Sequence, residues 1–267
     1  MGRDDRRRRS RAGRWLLAGA SLLLCSGCFD VVEEIWLEAG GGGRLRLEIS
    51  LPKSLLSMGR LGGEDLLVSV REDAANAKAE LARDPDIRRF DYRTEEKPGV
   101  FNLVYEVEAN DAAKLQAAQA RALSVLASRA GKGRGGMRQS PVDFSVARRF
   151  GLGFDFQGAL GGGSEKEDGK ADPGDDIGKA MAGAMLGGHA ITVRLHAPFI
   201  LSTNGAMDPT RTTAEWKVPL TALMEPGFKQ ELTAQALAVD WKVGAAGAVV
   251  ALLLLGTLFG RLTARRR

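Results

Sequence analysis

Apolar and polar residues alternate with a period of two along much of the middle of this chain. In RLRLEISL, Arg44–Leu51, Leu45, Leu47, Ile49 and Leu51 take one face and Arg44, Arg46, Glu48 and Ser50 the other. The preceding FDVVEEIWLE puts Phe29, Val31, Ile35 and Leu37 on one face, and the glycines of AGGGGR between the two segments suit a hairpin. Phe101, Leu103, Tyr105 and Val107 alternate in VFNLVYEVE, and IRRFDYR is expected to pair with it across Glu95–Gly99. VDFSVAR, LGFDFQG, AITVRLHA, FILSTNG and AEWKVPL are further strand candidates. Alternation of this kind predicts an antiparallel sheet with one wet face.

Two segments break the two-residue period. Glu64–Arg83 spaces Leu66, Val70, Ala74, Ala77 and Leu81 as a helix stripe. Asp111–Arg129 does the same with Leu115, Ala118, Ala122, Val125 and Leu126, and Asn110 or Asp111 can cap its start. The expected fold class is therefore α+β, an antiparallel sheet with two helices packed on one face, over an exported domain of residues 29–240. Within it, residues 158–178 are rich in Gly, Asp, Glu and Lys and predict a flexible loop. KAMAGAMLGG, Lys179–Gly188, is expected to pack on the fold's own core, and Asn204-Gly205 is a tight-turn signal.

Charge changes the picture at the two ends. The whole chain of 267 residues has a net charge of +5, which invites a nucleic-acid reading. Seven arginines within residues 1–27 and four within 261–267 carry that excess; residues 28–260 hold 27 basic and 31 acidic side chains. No nucleic-acid partner is expected. At the N-terminus an Arg-rich region is followed by an apolar run, Trp15–Leu24, too short to span a hydrocarbon core but suited to a signal peptide, residues 1–27. Ser26-Gly27-Cys28 then reads as a lipobox with Cys28 as the lipidation site, although Cys25 stands where Leu is usual. With Cys25 removed and Cys28 acylated, the exported domain holds no thiol, so neither a disulfide nor a Cys-metal site is expected.

At the other end, Val243–Gly260 is 18 residues without a charge, about 27 Å as a helix. It predicts a C-terminal transmembrane helix over 243–262, with a cytoplasmic basic tail at 263–267. The main domain is then expected on the outer side of a bacterial cytoplasmic membrane, with the membrane itself as partner.

Candidate chemistry is sparse. His189 and His196, seven apart, would point to opposite faces of one strand and cannot share a metal. GKGRGG, Gly131–Gly136, matches a dinucleotide pattern but follows a helix, where that site needs a strand first. The adjacent carboxylates Glu33 and Glu34 would face opposite ways, and solvated surface is the expectation for both. DPGDD, Asp172–Asp176, lacks the spacing of a calcium loop. No catalytic residue, cofactor or metal site is expected. Arg88, Arg89 and Arg93, with Arg148 and Arg149, are basic clusters able to meet anionic lipid headgroups or a partner protein.

The signal with its lipobox, the strand pair directly after Cys28, and the late segment APFILSTNG…AEWKVPL together resemble LppM-type bacterial lipoproteins. That resemblance implies an envelope protein without catalysis whose exported domain binds a lipid or glycolipid, and a single transmembrane helix with a basic tail. The functional expectation is thus a membrane-anchored envelope lipoprotein, non-catalytic, binding lipid, glycolipid or an envelope partner. The alternatives are an accessory or structural subunit of a membrane complex, or an envelope hydrolase.

Overall fold

The computed structural model describes residues 30–53, 72, 74–129, 142–149, 152–161, 186–225 and 227–238. The chain opens with β1 (Asp30–Leu37) and β2 (Gly43–Pro52), paired antiparallel so that Leu37 meets Gly43 and Asp30 meets Ser50. Their turn closes by Gly41 N–H donating to the Glu38 carbonyl and Glu38 N–H donating to the Gly42 carbonyl, both 2.9 Å. Gly41 has φ +89, a left-handed conformation that favours glycine, and the Arg148 guanidinium lies against it. Helix α1 (74–81) precedes β3 (Ile87–Lys97) and β4 (Val100–Ala109), an antiparallel pair whose turn is narrowed to Pro98-Gly99.

Asp111 then starts the second helical stretch as expected. Its side chain accepts from Ala113 N–H at 3.0 Å and caps a 3-10 turn that runs into α2 (Leu115–Arg129). After α2 come β5 (Val142–Arg149), β6 (Gly153–Gly161), β7 (Ala190–His196), β8 (Phe199–Thr203), β9 (Ala206–Met207), β10 (Thr213–Pro219) and β11 (Lys229–Leu237).

These strands make two sheets. The larger runs β3-β4-β2-β1-β7-β10-β9 and the smaller β5-β6-β11-β8. On the large sheet, Val31, Ile35, Leu45, Leu47, Tyr105, Val107, Val193, Leu195 and Trp216 turn inward and are buried. The α2 residues Leu115, Ala118, Gln119, Ala122 and Leu123 are buried, and α2 lies against β4 and β2. Elsewhere on the inner face the small sheet takes over: Phe156 stacks on Trp216 with centroids 5.8 Å apart, and Phe144 on Phe156 at 5.8 Å. Each fully buried Leu or Phe contributes about 1.5–3 kcal/mol of transfer free energy, so this shared interior holds the two layers together.

The α+β expectation of one antiparallel sheet with two helices on one face is thereby corrected. The described residues are mainly β, with two short helices. The strands divide into two sheets, and β1 pairs with β7 in parallel, Val31 opposite Ile191 and Trp36 opposite His196. Alternation reports which face a side chain takes and is silent on which strand lies beside it. Alternation does not mark β11, because its inward residues are Leu232, Ala234 and Ala236, two of them too small to signal a strand.

Among the described residues no helix is long and apolar enough to cross a membrane. Residues 1–27, Cys28, Phe29, Gly131–Gly136, Asp172–Asp176, 243–262 and 263–267 lie outside the described residues. So does most of the loop expected over 158–178, except that Gly158–Gly161 belong to β6.

Candidate functional site

Side chains on the outer face of the large sheet stand in two transverse rows set by register. One row reads Asp91, Glu106, Arg46, Glu34, Arg194 and Glu215 across β3, β4, β2, β1, β7 and β10. Charge alternates along most of it: Arg194 Nε donates to Glu215 at 2.7 Å and Arg194 Nη1 lies 3.6 Å from Glu34. The hydrogen bond to Glu215 holds the Arg194 guanidinium more firmly charged than usual. Opposite charges on facing strands each contribute a fraction of a kcal/mol, and together they disfavour a slipped register.

The neighbouring row reads Arg89, Glu108, Arg44, Trp36, His196 and Thr213. Here the Trp36 ring is sandwiched. The Arg44 guanidinium lies 3.9 Å from its centroid, and the His196 imidazole stacks at 4.9 Å with the planes 14° apart. His196 Nδ1 is 3.2 Å from Thr213 Oγ1, and Nε2 is 3.5 Å from Glu34 Oε1. Burial lowers the His196 pKa below its ordinary value, with Glu34 opposing. Trp36, Glu38, Arg44, His196, Pro198 and Thr212 line an open cleft of about 420 Å³ at this end of the sheet. An aromatic edge, a cation, an imidazole and a carboxylate therefore converge on one concavity. Such a set can hydrogen-bond the hydroxyl and phosphate groups of a polar headgroup.

The five arginines singled out from the sequence do not form one cluster. Arg88, Arg89 and Arg93 lie on β3. Arg88 donates to Glu38 at 2.7 Å and to Glu108 at 2.9 Å, and Arg93 pairs with Asp91 at 2.6 Å and Glu95 at 3.1 Å. Arg89 is 3.7 Å from Glu108. These carboxylates compete with any incoming anion for the guanidinium groups. Arg148 and Arg149 lie on β5 of the other sheet. Arg149 pairs with Asp155 at 2.7 Å, and the Arg148 guanidinium sits 5.8 Å from the Phe154 ring centroid, against Gly41. The β1–β2 turn brings Arg88 and Arg148 to the same end of the molecule, with Arg88 against Gly42.

One expectation about a titratable group needs correction. Glu33 is fully buried, where a solvated surface was expected. Gln119 Nε2 of α2 donates to Glu33 Oε1 at 3.2 Å, and Tyr105 Oη donates to the Gln119 carbonyl at 3.2 Å. Burial, with the Glu33 charge nearby, pushes the Tyr105 hydroxyl well above its ordinary pKa. The signal for Glu33 was present: it shares the parity of Val31, Ile35 and Leu37, so an apolar face was interrupted by a carboxylate. Gln119 likewise sits inside the helix stripe, between Ala118 and Ala122. As for the histidines, His189 lies just before β7, 3.7 Å from Asp30, and His196 ends that strand. They are separated by the length of β7. Among the described residues no group of three or more His, Cys, Asp or Glu is placed to hold a metal.

No protein-family profile matches the chain, and no curated protein matches it. A search of solved structures finds similarity to the NMR structure of the folded domain of Mycobacterium tuberculosis LppM. The match has 15% sequence identity and a TM-score of 0.41, covering 80% of this chain and 92% of that one.

Proposed function

We propose that this chain is a membrane-attached bacterial envelope lipoprotein whose exported domain is a non-catalytic binding module. Its ligand is a lipid or glycolipid headgroup, or an envelope partner presenting similar polar chemistry. The observation that carries the reading is the start of the chain: an Arg-rich region, the apolar run Trp15–Leu24, and Ser26-Gly27-Cys28. The fold supports it, because β1 begins at Asp30, two residues beyond Cys28, so the folded body follows the anchor directly. The cleft at Trp36, Arg44 and His196 supplies the headgroup chemistry.

Mass spectrometry of the purified mature protein tests this. The reading expects an N-terminal peptide beginning at acylated Cys28 and copurified lipid that is lost on Arg44→Ala. An intact Arg-rich N-terminus, or lipid content unchanged by that variant, overturns it.

A second reading has one specific observation behind it. Thr213 hydroxyl, His196 imidazole and Glu34 carboxylate stand in sequence at 3.2 and 3.5 Å, in the order of a hydrolase triad, although His196 Nε2 approaches the carboxylate at ion-pair distance without a hydrogen bond. Covalent capture of Thr213 by a fluorophosphonate, abolished by His196→Gln, would establish that reading over the first.

A further inference from the structure

Among the described residues, Leu152, Phe199, Leu201, Met207 and Leu237 are large apolar side chains with more than a third of their surface exposed. Two of them meet: Leu237 of β11 is paired with Phe199 of β8 and shares its outward face, and Gly153 of β6 lies opposite Leu237 on the other side. Leu201 lies two residues along β8 from Phe199, where the β8–β11 register shifts. The result is an apolar corner at one end of the small sheet.

Two arginines flank it: Arg149, paired opposite Gly153 and bonded to Asp155, has 59% of its side chain exposed, and the Arg211 guanidinium lies 5.2 Å from the Phe199 ring centroid. Elsewhere that face of the small sheet is polar: Ser145, Gln157, Glu231 and Thr233 line a separate groove of about 440 Å³. Apolar tips flanked by cations are the pattern of a surface that rests in the headgroup layer of an anionic bilayer.

The chain's exit selects the occupant. β11 ends at Leu237, inside the corner, and four residues after Ala238 the sequence enters the 18 uncharged residues Val243–Gly260, followed by Arg261 and Arg265–Arg267. Five Cα–Cα steps from Ala238 to Val243 span at most roughly 18 Å. An apolar run in contact with lipid therefore holds this corner close to the same lipid surface. We infer that the corner formed by Phe199, Leu201 and Leu237, with Arg149 and Arg211 beside it, is the face that lies on the membrane. The inference rests on the membrane attachment proposed above.

The test uses the full chain reconstituted in vesicles of phosphatidylcholine and phosphatidylglycerol. An environment-sensitive thiol probe is placed by Leu201→Cys, Leu237→Cys or, as the wet comparison on the same face of β11, Glu231→Cys. Labelling of the chain without an introduced cysteine is subtracted. Probes at 201 and 237 are expected to shift to the blue, lose quenching by iodide and gain quenching by spin-labelled lipid; the probe at 231 stays in water. Protein that floats with the vesicles while all three probes are equally quenched by iodide overturns this inference and leaves the attachment standing. Protein that does not float overturns both. Protection that disappears when the protein is diluted among more vesicles identifies a second copy as the occupant and also overturns it. As an independent arm, Leu201→Ser with Leu237→Ser, both at exposed positions, is expected to abolish the preference for phosphatidylglycerol-rich vesicles; an unchanged preference counts against the corner.

Discussion

Replacing Gln119 by Leu tests whether the buried polar contact between α2 and the large sheet holds the helix in place. Gln119 is 2% exposed, Glu33 is fully buried, and the amide donates to the carboxylate at 3.2 Å. Leu is close in volume to Gln, so the packing of the neighbouring Leu115, Ala118 and Leu123 is disturbed little. The Tyr105 hydrogen bond to the residue-119 carbonyl survives, because it uses the main chain. What is lost is one donor to a buried carboxylate, which costs about 1–3 kcal/mol. For a domain of this size that corresponds to a fall in Tm of roughly 2–12 °C, from about 2–4 °C per kcal/mol. Thermal unfolding followed by circular dichroism at neutral pH gives the number. Gln119→Glu sharpens the test by placing a second carboxylate against Glu33. Like charges and burial raise the folded pKa of such a pair, so the folded state binds more protons than the unfolded one. Stability of Gln119→Glu should therefore fall as pH rises through the window above about 4.3, the unfolded glutamate value. A Gln119→Leu protein as stable as the wild type, together with a Gln119→Glu protein whose stability does not depend on pH there, would refute the claim that this contact fastens the helix.

Three further outcomes follow from the same geometry. Gly205→Ala places a Cβ 2.7 Å from the Trp216 ring and 2.8 Å from the Glu215 carbonyl, so denaturant unfolding should show a loss of about 1–3 kcal/mol. His196 has a depressed pKa in the folded state, so its contribution is present above 6.5 and is lost as pH falls through the folded value; NMR titration should find the imidazole below 6.5, and His196→Asn should flatten the stability profile in that range. Arg88→Ala removes a side chain that is 41% exposed and bonded to Glu38 and Glu108, yet solvent screening limits the loss in stability to about 1 kcal/mol or less in a chemical melt.

The Asn204-Gly205 turn shows how a local signal acquires a second role from the tertiary structure. The dipeptide marks a turn in the sequence, and a turn is found between β8 and β9. In the fold, Asn204 Oδ1 also accepts from the Trp216 indole at 2.8 Å and from Thr233 N–H at 2.9 Å, while its amide donates to the Glu231 carbonyl at 2.9 Å. One side chain thus ties β10 of the large sheet to β11 of the small one. Its turn-forming chemistry was legible; its three partners, up to 29 residues away, were not.

Local pattern is enough for the strands whose inward residues are large, the Asp111 cap, the hairpin from β1 to β2 and the basic charge of both ends. All of these are set by neighbours a few residues apart. Glu33 was legible in principle, since parity alone places it among Val31, Ile35 and Leu37. Long-range packing places β1 between β2 and β7, lays the small sheet over part of the inner face, and stacks Trp36 between Arg44 and His196. It also brings Phe199 and Leu237 together at one corner. Those contacts join residues far apart in the chain, and hydrophobic periodicity says which side of a strand is buried without saying what buries it.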